Sequence, residues 1–355
     1  MKPKEIALIT LAFFAPISIF VTDLSVFSLA ILWLFEGQFK SKWNKIKSSS
    51  WILSLLALLL LYVVGMLWGT NHQGAEWLFQ KSALLLLLPI LYTLSFSQKV
   101  VKYSLVAFLS ATTLSAFIAN LINLGWIKYL FKYSAIFAAN WQNPAFMTYT
   151  DHNIFLAFSL LVTFFLLFNS SSNKKLRIVL IFISILFLLS LYTENGRSGQ
   201  LAFIFIFLSF SILAFWHKKS LIFLSVLAII GINIMVYSIS PHFRQRIDSI
   251  QIQLTQLEKN KVNSLNTRYY LYEYSFEKIK EKPVLGYGTG SFVKEFSSIS
   301  EHATKILAGV HKTPHNNYLF ICFELGLVGL LVFLSIFFFQ LKAYRSLNQG
   351  YFRMI

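Results

Sequence analysis

Acidic residues are scarce in this chain: 14 Asp and Glu stand against 31 Lys and Arg among 355 residues. No two of the acids fall at the Asp-x-Asp spacing that would hold a divalent cation beside a nucleotide sugar. Histidine offers little more, because seven are scattered and only His311 and His315 sit at i, i+4. A tetrahedral zinc site needs further ligands that no spacing supplies. The single cysteine, Cys322, lies in an apolar run, which excludes an intramolecular disulfide and reads as a small packing residue. Charge itself is sparse at 13% of residues, too little for the surface of a soluble domain of this size.

What the chain does have is apolar sequence, 56% of it, with a mean hydropathy of +0.63. Runs near 20 residues recur along its length, the signature of a polytopic membrane protein. The start, "MKPKEIALITLAFFAPISIF", has a basic head and an apolar body but no small-x-small cleavage site, so it reads as a retained first span. Hydropathy predicts an all-α transmembrane bundle of about ten spans. They fall near 5–21, 23–36, 51–69, 78–96, 104–124, 150–168, 178–193, 198–216, 220–238 and 315–341. The corresponding divisions are N-terminal helices over 1–149, central helices over 150–238, an outer loop over 239–314, and a last helix with its tail over 315–355.

The net charge of +17 would suggest nucleic acid in a soluble protein, but its distribution argues otherwise. "KSKWNKIKSSS", "SQKVVKYS", "SSSNKKLR", "WHKKS", the tail and the N-terminus share one side and carry 16 of the 31 Lys and Arg. The positive-inside rule places that side in the cytoplasm, so the fit is to membrane lipids and not to nucleic acid. The outer loop mixes 11 basic with seven acidic residues and escapes the rule by its length. It contains a helix pattern, "NSLNTRYYLYEYSFEKIKEKP", with Tyr269, Tyr272, Phe276 and Ile279 on one face and Pro283 as terminator. "PVLGYGTGSF" follows as a glycine-rich turn, with no strand before it that would make it a dinucleotide fingerprint.

Ionisable residues at the outer membrane surface are informative because they are costly near hydrocarbon. Arg197, in "YTENGRSGQLAF", opens the eighth expected span, where free backbone N–H groups and a guanidinium together suit phosphate oxygens. Arg268 opens the loop helix. His315 follows Thr313 and Pro314, a cap-and-proline start signal that puts it on the first turn of the last span. A neutral imidazole there can accept a proton near neutral pH. Glu324, nine residues deeper, reads as structural, and Gly326 and Gly329 have the spacing of close helix contact. Taken singly, Arg197 and His315 read as ordinary interfacial side chains and Arg268 as a solvated or stacking residue beside tyrosines.

Together these residues resemble the O-antigen ligase and polymerase superfamily of bacterial inner-membrane glycosyltransferases. The resemblance rests on Arg197 through Leu201 as Arg-x-x-x-Leu, on Arg268 followed by "PVLGYGTGSF", and on His315, Asn316, Gly326 and Gly329 in register. It covers roughly residues 150–340. The family carries about two further spans after the histidine helix, which makes this chain either truncated or a short member. The resemblance implies an inverting, metal-independent transfer, without cofactor, on the periplasmic face of the inner membrane. The donor would be a glycan on undecaprenyl diphosphate and the acceptor a sugar of lipid A-core. Arg197 and Arg268 would bind the diphosphate and His315 would be the general base. Asn316, Asn317, Asp151, His152 and Gly288 would contact substrate. A polymerase or a protein O-oligosaccharyltransferase of the same superfamily would share these motifs. A lipid-linked oligosaccharide transporter would instead show charged or broken helices at the membrane midplane.

Overall fold

A computed structural model describes residues 1–127, 145–169, 173–194, 197–240, 243–245, 247–249, 264–297 and 312–347. The described chain is helical. In order it forms α1 (Pro3–Phe14), α2 (Ile19–Phe35), α3 (Phe39–Lys47), α4 (Ser50–Gly65), α5 (His72–Ala83), a 3-10 turn (Leu84–Leu86), α6 (Leu87–Thr93) and α7 (Gln98–Asn123). It continues through α8 (Tyr149–Asn169), α9 (Lys174–Thr193), α10 (Arg197–Ala214) and α11 (Lys219–Ile239) to α12 (Ser264–Glu281), α13 (Phe292–Ser297) and α14 (Asn317–Leu347).

Each expected span coincides with a helix or with adjoining helices, but the number able to cross a membrane is smaller than ten. Six stretches among the described residues are long and apolar enough, or seven if α2 and the bent-away α3 are counted as one. Length explains the correction. The first expected span is cut at Pro16, and α1 keeps only 12 residues, about 18 Å against a hydrocarbon core of about 30 Å. Ser18 then starts α2, its hydroxyl accepting from the Val21 N–H at 3.4 Å. α4 stops after 16 residues at Gly65.

The chain divides into two compact units that interleave in sequence: residues 1–32 with 96–248, and residues 33–95 with 249–355. In the first, α7, α8, α9 and α10 pack around Leu156, Leu160, Phe187 and Leu191, all fully buried, and α1 lies on α7. Small hydroxylated residues line the helix contacts, as between Ser184 and Thr163 (3.2 Å), because they let helices approach where lipid gives no hydrophobic drive. In the second unit α4 packs along α14, joined by Ser335 to Ser54 at 2.8 Å, and α12 and α13 pack on α14. Its centre is aromatic: Tyr287 stacks on Phe323 at 5.0 Å and Phe292 meets Phe323 edge-on at 5.1 Å.

Candidate functional site

α14 is a broken helix. Gly326 has φ 64 and ψ −164, a region essentially restricted to glycine. At that point Leu327 and Val328 cannot donate to Phe323 and Glu324 as an α-helix requires. The glycine-rich turn replaces both missing bonds. The Leu327 N–H donates to the Pro283 carbonyl (2.8 Å) and the Val328 N–H to the Val284 carbonyl (3.3 Å). In return the Tyr287 N–H donates to the Phe323 carbonyl (2.9 Å) and the Gly288 N–H to the Glu324 carbonyl (2.8 Å). A Cβ at Gly326 would collide with the Val284 carbonyl, so the close approach also needs glycine.

Glu324 completes this joint. Its side chain is fully buried, and its carboxylate accepts from the backbone N–H of Phe292 at 2.9 Å and from that of Gly290. The turn is also fixed to α4, with the Thr289 N–H on the Gly65 carbonyl (3.0 Å) and the Thr289 hydroxyl on the Tyr62 carbonyl (2.6 Å). Gly288, expected to touch substrate, is buried with φ +91 against the backbone of Gly69. The structural reading of Glu324 agrees with this geometry, and at Gly329, which is buried, a Cβ would first meet the Leu325 side chain of its own helix. Outside the apolar helices, Glu281 accepts the Tyr287 hydroxyl and pairs with Lys278 at 3.0 Å. Those contacts, the hydroxyl first, hold the Glu281 carboxyl below its ordinary range, and burial followed by Glu281 itself pushes the Tyr287 phenol up.

The mouth of α14 differs from the expected cap. Helix begins at Asn317, and Asn316 caps it, its side-chain oxygen accepting from the N–H of Tyr318 (3.0 Å) and Leu319 (3.3 Å). His315 therefore stands just outside the helix, exposed and in a left-handed conformation with φ 56. Asn317 is exposed on the first turn and Asn316 is partly exposed. His311 lies outside the described residues. Arg268 is exposed in the opening turns of α12, which packs on α14. Of the residues expected on one face of α12, Tyr272 and Ile279 pack against the core while Tyr269 and Phe276 are half exposed, and the fully buried positions are Leu271 and Ser275.

In the other unit, Arg197 is the first residue of α10; only its backbone is described. The first turn of α10 packs on α8 through Gly199, which seats against Asn153. Asp151 is exposed at the start of α8 and accepts the Thr148 hydroxyl at 2.7 Å. His152 is fully buried, with Nδ1 2.9 Å from both carboxylate oxygens of Glu194. Ser190 donates to the same carboxylate at 2.7 Å. Among the described residues, His152 Nε2 and both amide atoms of Asn153 are buried without a hydrogen-bond partner. Glu194 escaped the sequence reading because its partner lies 42 residues earlier; the only local signal was an acid three residues ahead of Arg197.

Comparison with known proteins bears on this arrangement. The family described as O-antigen ligase matches residues 182–334, a stretch that contains Arg197, Arg268 and His315. A provisionally named polysaccharide ligase of Rickettsia conorii (strain ATCC VR-613 / Malish 7) is 34% identical over 91 residues, 25% of this chain and 22% of that protein. Another, of Rickettsia felis (strain ATCC VR-1525 / URRWXCal2), is 29% identical over 192 residues, 52% of this chain and 44% of its own length. The aligned stretches thus span less than half of either relative. Together they show family-level similarity to O-antigen-ligase-like proteins over part of a membrane-embedded helical chain.

Proposed function

We propose that this chain is a membrane glycosyltransferase of the O-antigen ligase kind, acting at the periplasmic face of the inner membrane. It would move a glycan from undecaprenyl diphosphate to a sugar hydroxyl of lipid A-core. The observation that carries this reading is positional. Arg197 and His315 stand at or beside the N-terminal ends of α10 and α14, and Arg268 is exposed on the fifth residue of α12, all inside the stretch that matches the ligase family. Helix N-termini offer free N–H groups and the positive end of the dipole, which suit a diphosphate.

In this scheme the acceptor oxygen attacks the anomeric carbon as the carbon–oxygen bond to the diphosphate breaks, and the electron pair leaves with undecaprenyl diphosphate. The acceptor proton passes to His315, and attack opposite the leaving group inverts the centre. Arg197 and Arg268 offset the charge that grows on the leaving group, using a fixed charge and a donor fork that lysine lacks. Asn316, Asn317 and Asp151 supply polar contacts to the sugars. The buried His152 acts from behind, through Glu194, three residues before Arg197 in the chain. The broken α14 does not favour transport: the four backbone groups freed at Gly326 and the Glu324 carboxylate are all taken by the chain's own turn.

The test is a transfer assay with purified protein, undecaprenyl-diphosphate-linked glycan and lipid A-core. His315→Ala should lower kcat by about 10²- to 10⁴-fold without lowering thermal stability. Arg197→Lys should also impair transfer, and a chelator should not. Full activity in His315→Ala would remove the base assignment, and abolition by chelator would remove the metal-free scheme. Which acceptor is consumed separates ligase from polymerase and from protein glycosylation.

A further inference from the structure

We propose that α3 is an in-plane surface helix that binds the headgroups of anionic phospholipids through Lys40, Lys45 and Lys47. Its nine residues, FKSKWNKIK, contain four lysines and no acid. At 100° per residue, Ile46, Phe39 and Trp43 fall on one arc, Lys40 and Lys47 next to Trp43, and Lys45 on the far flank. Ile46 and Lys42 are buried and dock the helix on α4 and α6. The charge of Lys42 is already absorbed: Nζ donates to the Trp33 carbonyl at 2.6 Å, pairs with Glu36 at 3.2 Å and lies 4.7 Å over the Trp33 ring.

The other three lysines are exposed, and none makes an ion pair among the described residues. Lys47 sits 5.3 Å over the Trp43 ring and Lys45 5.2 Å over that of Tyr92, which holds both ammoniums beside aromatic rings. Trp43 and Phe39 are themselves about half exposed, at 48% and 52%. The chain turns by 112° on entering α3 from the apolar α2, and α3 hands over to the apolar α4 through Ser48 and Ser49. Two hydrocarbon-seeking helices thus leave from its two ends, which sets α3 at the level where they meet water. Aromatic rings that seek the interface, flanked by unpaired lysines, match a surface of negative lipid headgroups. A nucleic acid or an acidic protein would have no use for the half-buried rings.

The full chain, placed in nanodiscs of phosphatidylcholine with a minor share of either brominated phosphatidylglycerol or brominated phosphatidylcholine, tests this. The difference in tryptophan fluorescence between the parent and Trp43→Phe isolates Trp43. Its quenching should be stronger with the anionic lipid, and the preference should fade at high salt. Lys40→Gln/Lys45→Gln/Lys47→Gln should abolish it, each lysine contributing about fivefold to headgroup occupancy. Equal quenching by both lipids, or a preference that survives the triple variant, would overturn the headgroup site. No quenching by either would show the face covered by protein. Should the triple variant misfold, Lys40→Gln alone with a salt titration gives the same decision.

Discussion

Glu281 and Tyr287 form a tie in the outer region whose strength should follow pH. The folded Glu281 titrates below its ordinary carboxylate value, so its contribution is complete above about 4.3 and is lost as pH falls through the depressed value. The folded Tyr287 titrates above its ordinary value of about 10, so its contribution is complete below that pH and is lost as pH rises. Tyr287→Phe keeps the ring that stacks on Phe323 and removes only the hydroxyl. Its Tm should lie furthest below the parent between about pH 5 and 9, with the two curves converging toward either limit. A constant gap across the range would show that the hydroxyl acts through packing alone. The buried pair in the other unit predicts a larger loss. Glu194→Ala leaves the fully buried His152 without its partner and should cost about 1–3 kcal/mol in denaturant unfolding. Glu194→Gln, which keeps an acceptor, should cost less.

Helices were legible in the sequence wherever an apolar run was long, and misread where one residue overruled the run. Pro16 shortens α1, and Gly65 ends α4. At the mouth of α14, Thr313 and Pro314 give a sound start signal, yet Asn316 wins the cap because its side chain reaches two N–H groups while His315 takes the left-handed position. On α12 the face read from the period is half used: Tyr272 and Ile279 pack against the core, Tyr269 and Phe276 stay exposed, and the deepest positions are Leu271 and Ser275. The glycine-rich turn reads as an ordinary turn because the groups it serves lie some 40 residues later, in α14. Gly326→Ala therefore breaks two things at once, a glycine-only backbone and the approach of Val284. It should destabilise by about 1–3 kcal/mol from the backbone alone, with a further loss from the collision. Thermal unfolding should show a loss greater than that of Gly231→Ala, which sits in the helical interior of α11 with open space around it.

At the scale of the whole chain, charge and hydropathy pointed to a membrane-embedded helical protein, and the motif order pointed to the O-antigen-ligase-like proteins that part of the chain resembles. Neither could show that residues 33–95 fold with 249–355, because that grouping is carried by contacts such as Thr289 to Tyr62, 227 residues apart. The same distance hid the reason for the glycines. Gly286, Gly288, Gly290 and Gly326 look like scattered punctuation, but each lies where one backbone must touch another.

The exchange of hydrogen bonds at Gly326 means that α14 is not self-sufficient. Cut out as a peptide of residues 317–347 and dissolved in lipid, it would carry two unclaimed carbonyls and two unclaimed amides at its bend. Hydrocarbon would force it to straighten. The bend is thus a property the segment acquires from a turn translated before it, so the order of synthesis delivers the receptor ahead of the helix that needs it.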